Sequence, residues 1–254
     1  MNEGLLQIIT RGSRKSYRAR DIDALKRYLI DKDESYRILE VEEYGTRSSM
    51  AAETGNSKLV MVRSCPGFPI NSYEPIECSL SDKRFVVNPQ EGSFVFVTDW
   101  EMFTIPDDVI VIGIENMENF RMIRQQRHLF EEYLHRHGLP QKALFVSRYP
   151  QSSDLRKWLT SISNKYIHFG DFDLAGIHIF LSEFQKYLGE ERTYYLIPDD
   201  ISSRLKHGST NRYDEQYLRF KETNTDIEEL QLLIDFINRE RKGYDQEGYI
   251  KSDY

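Results

Sequence analysis

Three carboxylates in this 254-residue chain have the types and spacing that metal-assisted chemistry needs: Glu115 in VIGIENMENF, and Asp171 and Asp173 in YIHFGDFDLAG. Each follows an apolar run that reads as a β-strand, and an open parallel sheet binds ligands outside the carboxyl ends of its strands. A two-residue spacing in extended chain turns Asp171 and Asp173 the same way. If the two strands are neighbours the acids converge, and at an effective dielectric of 20 a carboxylate pair ~4 Å apart repels by roughly 4 kcal/mol, which a cation relieves. Oxygen donors without matching Cys or His suit a hard ion, Mg²⁺ (or Mn²⁺), which keeps waters and leaves room for substrate phosphates. Gly170 and Gly176 bracket the aspartates and let backbone approach a ligand. The competing reading is that Asp173 only caps the helix that follows it. Taken jointly, the three acids are the expected catalytic and metal-binding residues.

The elements that must hold them are strands alternating with helices. VIVIGI (109–114) is an apolar run of the kind buried on both faces of a parallel sheet. A long helix is expected from about Met117 to His135, ended by Gly138 and Pro140. Then follow the strand ALFVS, the helix SSDLRKWLTSIS, the strand KYIHFGDFD, a helix over 174–188, the strand YYLIP and a closing helix in DIEELQLLIDFINRERKGYDQEGYI. This alternation predicts an α/β fold with a parallel sheet flanked by helices over residues 105–254. Upstream, RARDIDALKRYLID reads as a helix, and YRILEVEEY, KLVMVRS, EPIECSL, RFVVN and SFVFVTDW read as short strands. Residues 1–104 are therefore expected to form a separate small α+β domain, mostly antiparallel, in contact with DNA or a partner.

The motifs carry a family resemblance. VIGIENMENF followed by HFGDFDLAG resembles the Toprim fold, the metal-binding domain of topoisomerases, primases and several nucleases, and in particular the JetD-type nucleases of Wadjet systems, which are distant relatives of the topoisomerase VI A subunit. SRYPQSSDLRKWL resembles that family's strand-to-helix turn, GDFDLAGIHI its GDxDxxG segment and YDQEGY its C-terminal Gln-Glu motif, so the likeness spans about Val109 to Tyr249. It implies that Glu115 is a metal ligand or general base, that Asp171 and Asp173 are metal ligands, that Glu247 is a fourth metal-binding acid, and that Asn116 orients Glu115 or a phosphate. It implies Mg²⁺-dependent cleavage of DNA, in defence against plasmids or phage, with other subunits of a defence complex and a homodimer as partners. The tyrosine nucleophile of topoisomerase VI A has no clear counterpart. Tyr17, in SRKSYRARD, is the one basic-flanked candidate, and such a tyrosine is ordinarily a solvated surface residue.

Two basic clusters offer nucleic-acid contacts against a net charge of -7. Arg11, Arg14, Lys15, Arg18 and Arg20 precede the first helix. Arg121, Arg124 and Arg127 recur at helical spacing just after Glu115, and Arg148 lies in the turn after ALFVS, so these residues with Asn116 are the expected DNA-binding set. The acidic average disfavours non-specific coating of nucleic acid, which rests on cations that neutralise phosphates. Cys65 and Cys78 alone make neither a disulfide framework nor a zinc site. The N-terminus MNEGLLQIITRGSRKS is too polar for a signal peptide, and no apolar run reaches membrane-spanning length, so a cytoplasmic protein without membrane contact is expected. Three other functions compete: a phosphatase of the haloacid-dehalogenase type, which places its nucleophilic Asp after the first strand and not the third, a DNA strand-breaking protein like the topoisomerase VI A subunit, and a non-catalytic DNA-binding or assembly subunit that uses the Toprim-like domain as a scaffold.

Overall fold

A computed structural model describes residues 4–11, 14–33, 36, 48, 51–52, 65–149 and 152–250, which divide into two compact units, Met1–Cys65 and Pro66–Tyr254. In the first unit the expected helix is α1 (Ile22–Lys32), whose cap Asp21 accepts the Ala24 N–H at 3.0 Å. The basic stretch before it is not a simple lead-in: β1 (Leu6–Arg11) and β2 (Arg14–Ala19) form an antiparallel hairpin with Ile8 opposite Tyr17 and Gln7 opposite Arg18. Ile8, Ile9 and Thr10 favour extended chain, a signal obscured by the charges on the second strand. Apart from Tyr36, the expected strands YRILEVEEY and KLVMVRS lie outside the described residues.

The second unit is a mixed α/β structure. Its strands are β3 (Phe68–Ser72), β4 (Ile76–Leu80), β5 (Lys83–Val87), β6 (Val95–Val97), β7 (Phe103–Thr104), β8 (Ile110–Ile114), β9 (Ala143–Ser147), β10 (Tyr166–Phe169) and β11 (Thr193–Tyr195). Six of them form one sheet in the order β11-β10-β8-β9-β3-β6, parallel among β11, β10, β8 and β9 and antiparallel where β3 meets β9 and β6. β4 pairs with β5 and β7 in a separate antiparallel sheet. Every residue of β8 and β9 is buried, as their apolar runs require.

Its α-helices of five or more residues are α2 (Met117–Arg121), α3 (Arg127–Arg136), α4 (Ser152–Ser161), α5 (Leu174–Ile179), α6 (Ile201–Leu205), α7 (Thr210–Phe220) and α8 (Glu228–Glu240). Alternation along β10 shows how the sheet is covered on both sides. Phe169 packs on Phe130 of α3 at 5.4 Å between ring centroids, whereas Tyr166, on the opposite face, stacks on Phe184 at 5.0 Å.

Two expected helices are interrupted. The stretch from Met117 breaks into a 3₁₀ segment (Ile123–Gln126) because the buried Gln126 side chain donates to the carbonyls of Asn119 and Met122, which a continuous helix would bond through its backbone. The helix over 174–188 widens to a π-helical segment, Phe180–Gln185, that presents Phe180, Glu183 and Phe184. Helices α6 and α7 occupy a stretch to which the sequence reading assigns no structure.

The domain boundary expected near residue 104 is corrected to Cys65/Pro66. β3 and β6 lie upstream of residue 104 yet belong to the same sheet as β8, and Trp158 of α4 packs against both Phe68 and Phe103, at 5.1 and 5.5 Å, while donating its indole N–H to the Phe103 carbonyl. The shift in sequence texture marks a change from antiparallel to alternating connections within one core. A fragment covering 66–254 is expected to unfold in a single cooperative urea transition. A fragment covering 105–254, stripped of β3, β6 and the Trp158 partners, is expected to show no such transition and to aggregate through the bared edge of β9.

Candidate functional site

The parallel pairing of β8 with β10 sets Ile114 beside Phe169, and the Glu115 N–H continues the ladder to the Phe169 carbonyl at 3.0 Å. Glu115 and the GDFD segment therefore leave adjacent strands side by side. Their proximity shows at Gly170, where an added Cβ would lie 2.8 Å from Glu115 Oε2. Glu115 Oε1 accepts from Arg148 Nη1 at 3.3 Å, and Arg148 also reaches Glu183 at 3.5 Å. Glu115 Oε2 is buried without a hydrogen-bond partner.

The C-terminal Gln-Glu motif closes over these strand ends as a 3₁₀ turn, Gln246–Tyr249. Asn116 caps α2 with its Oδ1, which accepts the Glu118 and Asn119 N–H groups, and donates its Nδ2 to Glu247 Oε1 at 2.5 Å. Gln246 donates its backbone N–H to Asp171 Oδ1 at 3.0 Å, while its side-chain oxygen accepts the Asn116 N–H. Buried Asn119 donates to the Gln246 carbonyl and to Gln126. Glu247 Oε2, like Glu115 Oε2, is buried and lacks a donor.

Asp171 and Asp173 share one guanidinium. Arg212 of α7 pairs with Asp171 Oδ2 at 2.5 Å, Asp173 Oδ2 at 2.6 Å and Asp245 Oδ1 at 2.7 Å. Asp173 is closed: its Oδ1 caps α5 by accepting the Gly176 N–H at 2.8 Å, and its Oδ2 also accepts from Gln216 Nε2 at 2.9 Å. Helix capping, the competing reading of this residue, describes its geometry. Burial pushes the Asp171 carboxyl up to about 6, with the Asp173 and Glu115 charges adding to the rise and the Gln246 N–H and Arg212 opposing it.

Five carboxylates (Glu115, Asp171, Asp173, Asp245 and Glu247) thus meet at one end of the sheet, with Arg148 and Arg212 as their cations. Among the described residues, no three His, Cys, Asp or Glu side chains are arranged to share one ion. Arg212 supplies the charge that draws Asp171 and Asp173 together. Glu115 and Glu247 each keep a buried carboxylate oxygen without a donor, and oxygen donors of this kind suit a hard cation.

The expected DNA-binding arginines are brought together less well. Arg127 pairs with Glu131 at 2.6 Å and lies over the Tyr73 ring, and Arg124 reaches the carbonyls of Ser72 and Pro89. Arg121 is exposed and lines, with Arg124, Gln90 and Ser93, a hollow of about 190 Å³. Arg148 and Asn116 are inside the acidic cluster. In the first unit Lys15, Arg18 and Arg20 are exposed, and Tyr17 is 65% exposed. Sequence reasoning missed Arg212 and Gln216; the available signal was Ser209 as a helix cap followed by Tyr213, Tyr217 and Phe220 at helical spacing.

The raised Asp171 pKa has a consequence for stability. The folded state holds this proton to higher pH than the unfolded chain, so the term favours folding at low pH and is lost as pH rises from about 4 to about 6, with a slope of at most ~1.4 kcal/mol per pH unit. Asp171→Asn is expected to flatten that segment of the stability profile, measured by urea unfolding at a series of pH values.

Residues 83–254 match a family described as a domain of unknown function, DUF7281. No curated protein matches the chain. Among the described residues no helix is long and apolar enough to cross a membrane. The match covers more than half of the chain and contains all five clustered carboxylates, and the chain belongs to the DUF7281 family.

Proposed function

We propose that this protein is a Mg²⁺-dependent nuclease that hydrolyses DNA phosphodiesters through a Toprim-like site, as the resemblance of VIGIENMENF, HFGDFDLAG and YDQEGY to the JetD-type nucleases implies. The observation that carries the reading is that Glu115, Asp171 and Glu247 come from three distant segments to the same end of the sheet, where Glu115 and Glu247 each keep a buried oxygen without a donor. Glu115, Asp171 and Glu247 would hold the cation, while Asp173 serves as the anchor of α5 and of Arg212. A bound divalent cation supplies charge that offsets the negative charge developing on the phosphoryl and leaving oxygens.

The chain's own groups provide the rest. Arg148 steadies Glu115 as a ligand of that cation. Asn116 orients Glu247, and the Gln246 N–H orients Asp171. Arg148 and Arg212 keep 25% and 34% of their side-chain surface open, so each can meet a phosphate oxygen at the mouth of the site. Arg121, exposed at its own hollow, is a further candidate contact for a phosphate.

One observation favours a second reading, a non-catalytic DNA-binding or assembly subunit: Arg212 already pairs with Asp171 and Asp173, and Asp173 has no oxygen left without a donor. An assay on supercoiled, linear and single-stranded DNA separates the two. The nuclease reading expects cleavage that needs Mg²⁺ or Mn²⁺ and falls at least about a hundredfold in Glu115→Ala and Asp171→Ala, given the several kcal/mol that a bound cation contributes. Wild-type protein that binds DNA without metal and cuts none of these substrates would establish the scaffold instead.

A further inference from the structure

Beneath the acidic cluster lies a buried polar row that the proposed chemistry does not use. Alternation along β10 puts Tyr166 and His168 on one face of the sheet, under the π-helical segment, with the His168 ring 5.0 Å from that of Phe184 and 5.7 Å from that of Phe180. His168 is 1% exposed. Its Nδ1 lies 3.0 Å from the Tyr166 hydroxyl, and its Nε2 lies 3.7 Å from Glu115 Oε2. Neither His168 Nε2 nor Glu115 Oε2 has a hydrogen-bond partner, although both are buried. The space between them, walled by Gly113, Arg148, Leu155 and Phe184, is too small to admit a water molecule. Each atom faces the other across this gap, which exceeds an ordinary N–H···O distance by less than about 1 Å.

The protonation pattern follows from the other end of the row. Burial holds the Tyr166 phenol protonated well above its ordinary range; with that hydroxyl donating to Nδ1, the proton of a neutral ring sits on Nε2, facing Glu115. Two glycines make room. A Cβ at Gly113 would lie 2.1 Å from the Tyr166 hydroxyl oxygen, and one at Gly170 would lie 2.8 Å from both Glu115 Oε2 and His168 Nε2. The glycines of VIGIE and HFGD thus give space to this row as well as freedom to the backbone.

We propose that His168 is a positioning residue for Glu115: its Nε2–H, aimed by Tyr166, grips Oε2 while Arg148 grips Oε1, so that the carboxylate presents its remaining lone pairs to a cation. The inference rests on the reading of Glu115 as a cation ligand. Its test has two arms. In ¹⁵N-labelled full-length protein, the long-range proton–nitrogen spectrum, assigned by the signals lost in His168→Gln, is expected to show the His168 proton on Nε2 with Nδ1 bare. Mn²⁺ titrated into the protein and followed by electron paramagnetic resonance is expected to bind at least about tenfold more weakly in His168→Leu. His168→Gln, which returns an N–H near the Nε2 position, is expected to recover most of the affinity, with circular dichroism and melting comparing the fold of both variants. A proton on Nδ1, a doubly protonated ring, or wild-type Mn²⁺ affinity in His168→Leu overturns the proposal and leaves the cation site standing. A wild-type protein that binds no Mn²⁺ removes the cation site and this role with it.

Discussion

The lateral contact between β8 and β10 is the constraint on which the site depends. Parallel pairing in this register carries Glu115 and the GDFD segment off the same end of the sheet, 56 positions apart in sequence but adjacent in space. Such closeness is costly for acids, since neighbouring carboxylates in a partly buried setting repel and lose solvation. The fold meets that cost with guanidinium groups brought from elsewhere: Arg148 at the end of β9 and Arg212 near the start of α7. At Asp171 burial still raises the carboxyl's pKa in spite of Arg212.

Closure of the site is non-local. The segment 243–249 bridges back to Phe172 and Ser209, and Gly243 is compact enough to pass against Asp173, where a Cβ would lie 2.9 Å from that residue's own. Arg204 braces the same segment by donating to the Tyr244 hydroxyl and the Gly248 carbonyl. Only when this strap is in place do Gln246 and Glu247 reach Asp171 and Asn116. The acidic cluster is therefore a product of the completed tertiary structure, and local order in β8 and β10 alone does not assemble it.

Much of this was legible in sequence, and for physical reasons. The continuous apolar run of β8 and its flanking helices announced a buried parallel strand, and the strand-end rule singled out Glu115, Asp171 and Asp173. What stayed hidden was what depends on partners. That Asp173 spends its oxygens on the α5 cap, Arg212 and Gln216 follows from where α7 lands, and nothing in the periodicity of STNRYDEQYLRF says that Arg212 faces the acids. β3 was missed because FPINS, with its proline, reads as a turn, yet it fills the place between β9 and β6. The breaks after α2 and α5 arise from the side chain of Gln126 and from a π-helical turn, neither of which disturbs the apolar spacing that predicts a long helix.

The central claim is that Glu115, Asp171 and Glu247 form a cation site that Arg212 balances in its absence. The most direct measurement is anomalous diffraction from crystals of the full chain soaked in Mn²⁺. The account predicts a single strong peak about 2.1 Å from oxygens of Glu115, Asp171 and Glu247, with Arg212 turned away from Asp171. A cluster without any peak, with Arg212 still joined to Asp171 and Asp173, would contradict it.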